Sequence, residues 1–148
     1  MQESTRPIEK LNFLIGQWQL KYEIPKSIFS EQDKGEGTGE FKKVLKDNYI
    51  TFNYRAKLKS SETSAKGIFV WDNKSKLYRY WWFEDSGNFS SATCNFINDE
   101  TLCLNWCDSL MVQSFKKESD NEVILRMMYP SGESHYNTVL KVTLIREE

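Results

Sequence analysis

Apolar and polar residues alternate with a period of two along most of this chain. In one segment polar residues separate Trp18, Leu20, Tyr22 and Ile24, and the same alternation returns in residues 50–58. Alternation of this kind is typical of β-strands that bury one face and expose the other. About ten such segments follow one another, separated by short runs of Asp, Asn, Ser and Gly that favour tight turns.

A short helix is expected before the first strand. Pro7 fits the first turn of a helix, and the apolar residues between Ile8 and Ile15 provide one or two turns with buried contacts. Gly16 is a typical helix end. Residues 1–7 are expected to form a flexible tail, and beyond Gly16 the two-residue period predicts strands only.

About ten short strands without intervening helices exclude a parallel sheet, which needs long crossover connections. Closing an antiparallel meander into a barrel removes its exposed edges. We therefore predict one domain over residues 1–148, an all-β, up-and-down antiparallel barrel of about ten strands with a short N-terminal helix. A β-sandwich is the alternative, and the barrel is favoured because no long Greek-key connection is visible.

Length and charge narrow the functional classes. The 148 residues suit one domain that needs no disulfide or metal in order to fold. With 20 basic and 21 acidic residues, the net charge of -1 gives no general case for binding nucleic acid or a membrane surface. No apolar run approaches the ~20 residues of a membrane helix, and residues 1–10 lack the apolar core of a signal peptide. A cytoplasmic protein is therefore expected, unless a signal peptide has been removed.

Aromatic residues are the most informative part of the composition. Five Trp, seven Tyr and nine Phe suit both a packed barrel core and the wall of a small-molecule pocket. Residues 77–83 carry large aromatic side chains on both faces, and only one face can point into a barrel. We place Tyr80 and Trp82 inside, and the alternative register places Trp81 and Phe83 there. The aromatic residues predicted to bind a ligand are Phe52, Tyr54, Phe69, Trp71, Tyr80, Trp82 and Trp106.

Either register leaves large aromatic side chains on the outside of the barrel. Exposed apolar patches commonly mark an interface, so a homodimer through residues 77–83 is expected. The alternative is that the N-terminal helix or a loop covers the same face.

The sequence contains few residues that could act in catalysis. The sequence has no G-x-S-x-G, HExxH or phosphate-loop motif, and His135 is its only histidine. Glu84 and Asp85 are adjacent carboxylates, which on a strand point to opposite faces and cannot act as a pair. No catalytic residue and no cofactor are therefore predicted.

Three cysteines complete the candidate chemistry. Cys94, Cys103 and Cys107 are an odd set, which argues against a disulfide framework. Their spacing and the shortage of histidine do not suit a zinc site. We expect buried, reduced thiols and no metal.

Two motifs at the ends of the chain resemble those of the calycin superfamily, which includes the lipocalins and the fatty-acid-binding proteins. Residues 16–18 read Gly-Gln-Trp after the short helix, and Arg146 stands at the end of the last strand. Between them, residues 67–72 and 82–87 resemble segments of a bacterial group, the DUF1579 proteins. The resemblance implies a lipocalin-like barrel in which Arg146 packs across Trp18 and the two side chains plug the closed end.

The resemblance also suggests ligand groups. Fatty-acid-binding relatives hold a carboxylate with an inward arginine, and Arg55 is predicted to take that role, with Arg79 and Arg126 as further candidates. Haem barrels of the nitrobindin type use a histidine on a late strand as the iron ligand. His135 is the only candidate here, and its polar neighbours favour a solvent-facing turn instead.

The sequence thus favours binding of a small hydrophobic or amphipathic molecule inside the barrel, without catalysis. The alternatives are an interaction protein that dimerises through its aromatic outer face and an enzyme that uses the barrel cavity. The same aromatic residues could instead fill the barrel completely, so the sequence leaves open whether a cavity exists.

Overall fold

Ten antiparallel strands follow a short N-terminal 3₁₀ helix (Pro7–Leu14) and close into a barrel. The computed structural model describes residues 6–28, 31–58, 61–132 and 135–147. The strands are β1 (Gly16–Ile24), β2 (Asp33–Val44), β3 (Tyr49–Leu58), β4 (Ser61–Asp72), β5 (Leu77–Glu84), β6 (Phe89–Asn98), β7 (Thr101–Trp106), β8 (Val112–Ser119), β9 (Glu122–Gly132) and β10 (His135–Arg146). Each strand pairs with its neighbours in sequence, and β10 pairs with β1. The predicted all-β, up-and-down barrel with a short N-terminal helix is therefore confirmed.

The two ends of the barrel differ. The N-terminal helix packs across the end at which β1 begins and β10 ends, and its Ile8, Leu11 and Leu14 are buried there. The Tyr78 hydroxyl donates a hydrogen bond of 2.6 Å to the carbonyl of Pro7, which ties the helix to β5. We call this the closed end. The open end is the opposite one, at which β5 and β7 end.

The N-terminal helix begins inside the segment that the sequence predicts as a tail. Pro7 is its first residue, because the fixed backbone angle of proline suits a first helical turn. Residues 1–5 of the predicted tail lie outside the described residues. Across the described ranges, no helix is both long enough and apolar enough to cross a membrane.

Two strands extend further than the sequence indicates. The polar residues 60–64 predict a loop, but β4 already begins at Ser61, which pairs with Leu58 of β3. Residues 130–133 read Pro-Ser-Gly-Glu and predict a turn, but β9 continues through Pro130 to Gly132. Proline is tolerated there because a register shift in the pairing with β10 falls beside it. The extra residues lengthen the barrel wall at the open end.

Arg146 fastens the closed end. Its guanidinium carbon lies 4.2 Å from the centre of the Trp18 ring, so the predicted stacking is present. The same guanidinium donates hydrogen bonds to the carbonyls of Ile15 (2.5 Å), Phe13 (3.1 Å) and Asp120 (3.0 Å). One side chain from the last strand therefore holds the end of the helix, the start of β1 and the turn before β9.

The G-x-W motif, Gly16 to Trp18, provides the contacts of β1 at the closed end. The Trp18 indole is fully buried and donates a hydrogen bond of 2.8 Å to the carbonyl of Leu14. Gly16 has a φ of +133° and carries the chain directly under the Arg146 guanidinium, where a Cβ would collide with it. Glycine is required at this position on both grounds.

Aromatic and aliphatic side chains fill the closed half of the barrel. The Phe41 and Phe52 rings stack with their centres 4.0 Å apart, and the Phe69 and Tyr80 ring centres lie 4.1 Å apart. Gly67 makes room for this packing, because a Cβ there would collide with the Tyr80 phenol. Burying one such aliphatic or Phe side chain stabilises a fold by roughly 1.5–3 kcal/mol. Fully buried members of this core are Trp18, Phe41, Ile50, Phe69, Leu102, Leu104, Phe115, Val123 and Leu144.

Replacing Arg146 with lysine is expected to lower the free energy of unfolding by about 1–3 kcal/mol, because an ammonium group cannot bond three carbonyls and stack on a ring at once. Urea unfolding followed by tryptophan fluorescence measures this change. Arg126→Lys is the matched control, since Arg126 lies on the outer face of β9, and it should shift stability by less than about 0.5 kcal/mol. Equal losses in the two variants would contradict the role assigned to Arg146.

Candidate ligand-binding cavity

The open half of the barrel contains a cavity of about 330 Å³ that side chains do not fill. Inward-facing residues form its wall, and its mouth lies beside the turns that join β5 to β6 and β7 to β8. The side chains of the closed half form its floor. The barrel is therefore solid at one end and hollow at the other. Among the apolar and aromatic lining residues are Leu20, Phe52, Tyr80, Trp82, Trp106 and Met127.

The register of β5 decides which aromatic side chains reach the cavity. Tyr80 is 1% exposed and Trp82 lines the cavity, so both point inward. Trp81 and Phe83 point outward and are 38% and 45% exposed. The predicted placement of Tyr80 and Trp82 is therefore confirmed, and the alternative register is wrong.

The aromatic wall is a connected set of rings. Tyr54 stacks on Trp82 with ring centres 5.2 Å apart, and it also packs beside Phe52 at 5.8 Å. Tyr80 meets the edge of Trp106 at 6.0 Å. Such offset and edge-on contacts let each ring restrict its neighbours, so the wall is ordered before any ligand binds.

The structure brings together five of the residues predicted to bind a ligand, namely Phe52, Tyr54, Tyr80, Trp82 and Trp106. Phe69 also points inward, but it is fully buried beneath Tyr80 and belongs to the packed half. Trp71 lies near the closed end, beside Pro7 of the N-terminal helix, and does not line the cavity. Alternation along β4 places both on the inner face but does not say how far along the barrel each one lies.

Arg55 lies outside the barrel, which corrects the expectation of an inward arginine. Tyr54 and Ala56 take the inward positions of β3, so alternation turns Arg55 to the exposed outer face. Arg79 also lies on the outer face and forms an ion pair of 2.7 Å with Asp72. Among the described residues that line the cavity, none is Lys, Arg or His.

Two polar groups in the cavity wall lack protein partners. The Trp106 indole nitrogen is buried and has no hydrogen-bond partner among the described residues. Gln113 is 6% exposed, lines the same cavity, and forms no side-chain hydrogen bond within the described part of the chain. Pairing of Leu104 with Gln113 makes Trp106 and Gln113 diagonal neighbours on the inner face. Buried polar groups normally have partners, so the Gln113 amide is suited to bond a guest molecule.

Sequence reasoning missed Gln113, and the reason is local. The residues around it are Val112, Ser114 and Phe115, which do not alternate cleanly, so the pattern gives no clear inner face for β8. Phe115 is fully buried and sets the parity that turns Gln113 inward. A glutamine two positions before a core phenylalanine was the available signal.

Carboxylates stand at the mouth of the cavity. Glu84, the last residue of β5, and Asp108, in the turn after β7, both line it. Neither side chain forms an ion pair or a hydrogen bond with another described residue. Asp85 turns away, as predicted, and accepts a hydrogen bond of 2.9 Å from the backbone N–H of Ser64.

The phenols inside the barrel stay neutral. Burial raises the pKa of Tyr80 well above its usual range. Burial, together with the neighbouring Tyr54 hydroxyl, likewise raises the pKa of Tyr22. Both residues line the cavity. The charge around it therefore comes from the mouth and not from the wall.

A larger depression of about 750 Å³ lies on the outside of the barrel across β1 to β4. It is a polar groove open to solvent, and its lining includes Arg55, Lys66, Glu40 and Asp85. A small molecule there would keep much of its surface in water. The inner cavity is the better candidate site, since ligand pockets usually bury most of a ligand.

Within the described ranges, His135 is not part of a group of metal ligands. His135 is exposed at the first position of β10, as expected of a solvent-facing residue, and it does not line the cavity. Among the described residues, no three side chains of His, Cys, Asp or Glu are grouped as metal ligands would be.

The cysteines differ in exposure, which corrects the expectation that all three are buried. Cys94 is buried in the core, Cys103 is half-buried on the outer face of β7, and Cys107 is exposed beside the cavity mouth. Burial raises the pKa of the Cys94 thiol, and the pKa of Cys103 is also raised. All three thiols are free, as predicted.

Comparison with known proteins finds likeness in structure only. No family model and no curated protein matches the chain. Rv2717c from M. tuberculosis matches with a TM-score of 0.66 at 11% identity, covering 98% of this chain and 100% of that one. The S-type phycobiliprotein lyase CPES from Guillardia theta matches with a TM-score of 0.59 at 9% identity, covering 95% and 92%. A redesigned β-barrel matches with a TM-score of 0.52 at 13% identity, covering 97% and 100%.

These neighbours place the chain in a fold class. Rv2717c and the lyase are lipocalin-like β-barrels, and this chain shares that fold over nearly its whole length. Identities this low show the fold alone. The closer resemblance to the DUF1579 proteins stays a prediction.

At pH 8, a thiol reagent such as DTNB is expected to modify Cys107 quickly and Cys94 very slowly. Burial both blocks access to Cys94 and, by raising its pKa, leaves little reactive thiolate. Cys107→Ser should remove the fast phase and Cys94→Ser should not, while unfolding in urea should expose all three thiols. Fast modification of Cys94 in the folded protein would contradict the packing of the closed half.

Proposed function

We propose that this protein binds a small apolar or amphipathic molecule in the open half of its barrel, without carrying out chemistry on it. The observation that carries the proposal is the division of the barrel into a solid half and a hollow half. A barrel that served only as a scaffold could be filled throughout, as its closed half is. Here an aromatic wall instead surrounds about 330 Å³ of space.

The size and lining of the cavity support a binding role. Pockets for small molecules usually measure roughly 300–1,000 Å³ and combine an apolar wall with a few polar groups. The cavity lies at the lower end of that range, and Trp106 and Gln113 provide polar groups without protein partners. Burying an aromatic or aliphatic guest there would gain about 25 cal/mol for each Å² removed from water.

The ionisable groups of the cavity favour binding over acid–base catalysis. Those among its described lining residues are three tyrosines and two carboxylates, which are Tyr22, Tyr54, Tyr80, Glu84 and Asp108. Catalytic acids and bases usually have a pKa brought towards neutrality. The pKa values of Tyr22 and Tyr80 move upwards, away from it.

A substitution that fills the cavity tests the proposed binding function. Native mass spectrometry of the freshly purified protein should show an extra mass that disappears on denaturation, and Ser90→Phe should abolish it. Ser90 lines the cavity, so a phenyl ring there would occupy the guest's space. Ser114→Phe is the matched control, because Ser114 faces outward on β8. Retention of the same mass by Ser90→Phe, or no binding by any small apolar probe, would contradict the proposal.

A second proposal is that two copies associate through the outer face of β5 and β6. Trp81, Phe83 and Phe89 are 38%, 45% and 74% exposed, and Phe83 lies directly opposite Phe89 in the sheet. The N-terminal helix packs at the closed end and leaves these three residues exposed. A cluster of large exposed rings is unusual on a monomer surface.

Gel filtration with light scattering tests association. The wild type should have twice the mass of the 17.5 kDa chain, and Phe89→Lys should return it to the single-chain mass. Ile97→Lys is the matched control, because Ile97 is another exposed apolar residue on the outer face of β6, at the opposite end of the strand. A wild-type monomer at high concentration would contradict this second proposal and leave the first untouched.

We also propose that the protein works in the cytoplasm. Three free thiols, one of them exposed at Cys107, support a reducing compartment.

A further inference from the structure

We propose that the natural ligand is an amphipathic cation, with an apolar body among the aromatic rings and a positively charged nitrogen at the cavity mouth. This inference rests on the proposed binding function and adds the class of ligand. It follows from four features of one cavity, namely its mouth, its wall, the basic groups that its lining lacks, and its unpartnered polar side chains.

The mouth supplies negative charge. Glu84 closes β5 and Asp108 begins the turn after β7, and both line the cavity. Neither is used by the protein itself, since the ion pairs of the described residues involve other carboxylates. Two unpaired carboxylates at the entrance of an apolar pocket attract a cation and repel an anion.

The wall favours the same charge. Tyr54 and Trp82 present stacked rings, and Tyr22 lies 6.2 Å from Tyr54, measured between ring centres. Aromatic faces are negative, so an ammonium or quaternary nitrogen within about 6 Å of several rings is stabilised.

The described lining residues also include no positively charged side chain that would pair with an anion. No Lys, Arg or His occurs among the described residues around the cavity. Arg55 and Arg79 face the outside of the barrel, and Arg79 is already paired with Asp72. A fatty acid would therefore bring its carboxylate to two like charges without a counter-ion.

Two polar side chains of the wall that have no protein partner support the presence of a guest in the cavity. The Trp106 N–H and the Gln113 amide have no protein partners within the described residues, although both are in the wall. Gln113 is 6% exposed and lines the cavity, so its amide oxygen can accept a hydrogen bond from an ammonium N–H.

The test uses three probes of similar shape and different charge, which are 2-phenylethylamine, 2-phenylethanol and 3-phenylpropanoate. Calorimetry at low salt should show the amine binding about tenfold more tightly than the carboxylate, with the alcohol between them. The preference should shrink as salt is added, because the mouth is open to solvent. The indole N–H resonance of Trp106, assigned with Trp106→Phe, should shift when a probe binds.

A double variant tests the contribution of the two carboxylates at the cavity mouth. Glu84→Gln with Asp108→Asn should reduce the preference for the amine to about twofold or less while leaving affinity for the alcohol unchanged. The matched control is Glu36→Gln with Asp99→Asn, which removes the same charge from an outward strand position and from a turn at the closed end. All four side chains are exposed, so both variants should fold.

The outcomes separate this inference from the proposed function. If the alcohol or the carboxylate binds as tightly as the amine, the proposal of a cationic ligand is wrong, but the proposed binding function stands. A preference that survives in the double variant also overturns it. Failure of all three probes, with no retained mass in native mass spectrometry, overturns both proposals. A retained natural ligand without positive charge overturns this inference alone.

Discussion

The seam between β1 and β10 is the constraint on which the rest of the structure depends. An antiparallel meander whose first and last strands fail to meet leaves two edges of unpaired backbone groups and an open core. Six residue pairs join the two strands, from Trp18 opposite Arg146 to Glu23 opposite Lys141. Arg146 extends the seam to the helix through the carbonyls of Phe13 and Ile15. Arg146 therefore takes part both in closing the sheet and in holding the helix across its end.

Side-chain volume and direction then separate the solid half from the hollow half. In the closed half, rings from strands that are not neighbours in the sheet meet inside the barrel, as Phe69 of β4 does with Phe115 of β8 at 6.3 Å between centres. Near the open end, rings stack along the wall, as Tyr54 does on Trp82, and leave the middle free. Gly39 contributes by admitting the Phe52 ring against the β2 backbone. Strand number allows a cavity, and the packing of particular rings decides where it lies.

Much of the architecture could be predicted from the sequence, because strands, turns and inward faces are local properties. For β5 the prediction that Tyr80 and Trp82 point inward fixes the direction of every other side chain in the strand, and the structure confirms it. The alternation around Tyr54 also predicts that Arg55 lies outside, as it does, and the inward arginine of the fatty-acid-binding proteins has no counterpart at this position. Alternation shows which face of a strand points inward but not how far along the barrel axis a residue lies. Phe69 and Trp71 therefore share the inner face with the cavity residues, as predicted, but do not line the cavity. The existence of a cavity depends on contacts between strands far apart in sequence, which no local pattern encodes.

The alternation of β5 has a consequence for how this barrel can change over evolutionary time. Its even-numbered residues contact the cavity or the core, and its odd-numbered residues form the outer aromatic surface. Single substitutions can therefore change the lining of the cavity and the apolar outer surface independently, although the same eight-residue strand provides both. A one-residue insertion or deletion would exchange the two surfaces at once. This strand can adapt by replacement, but hardly by a change in length.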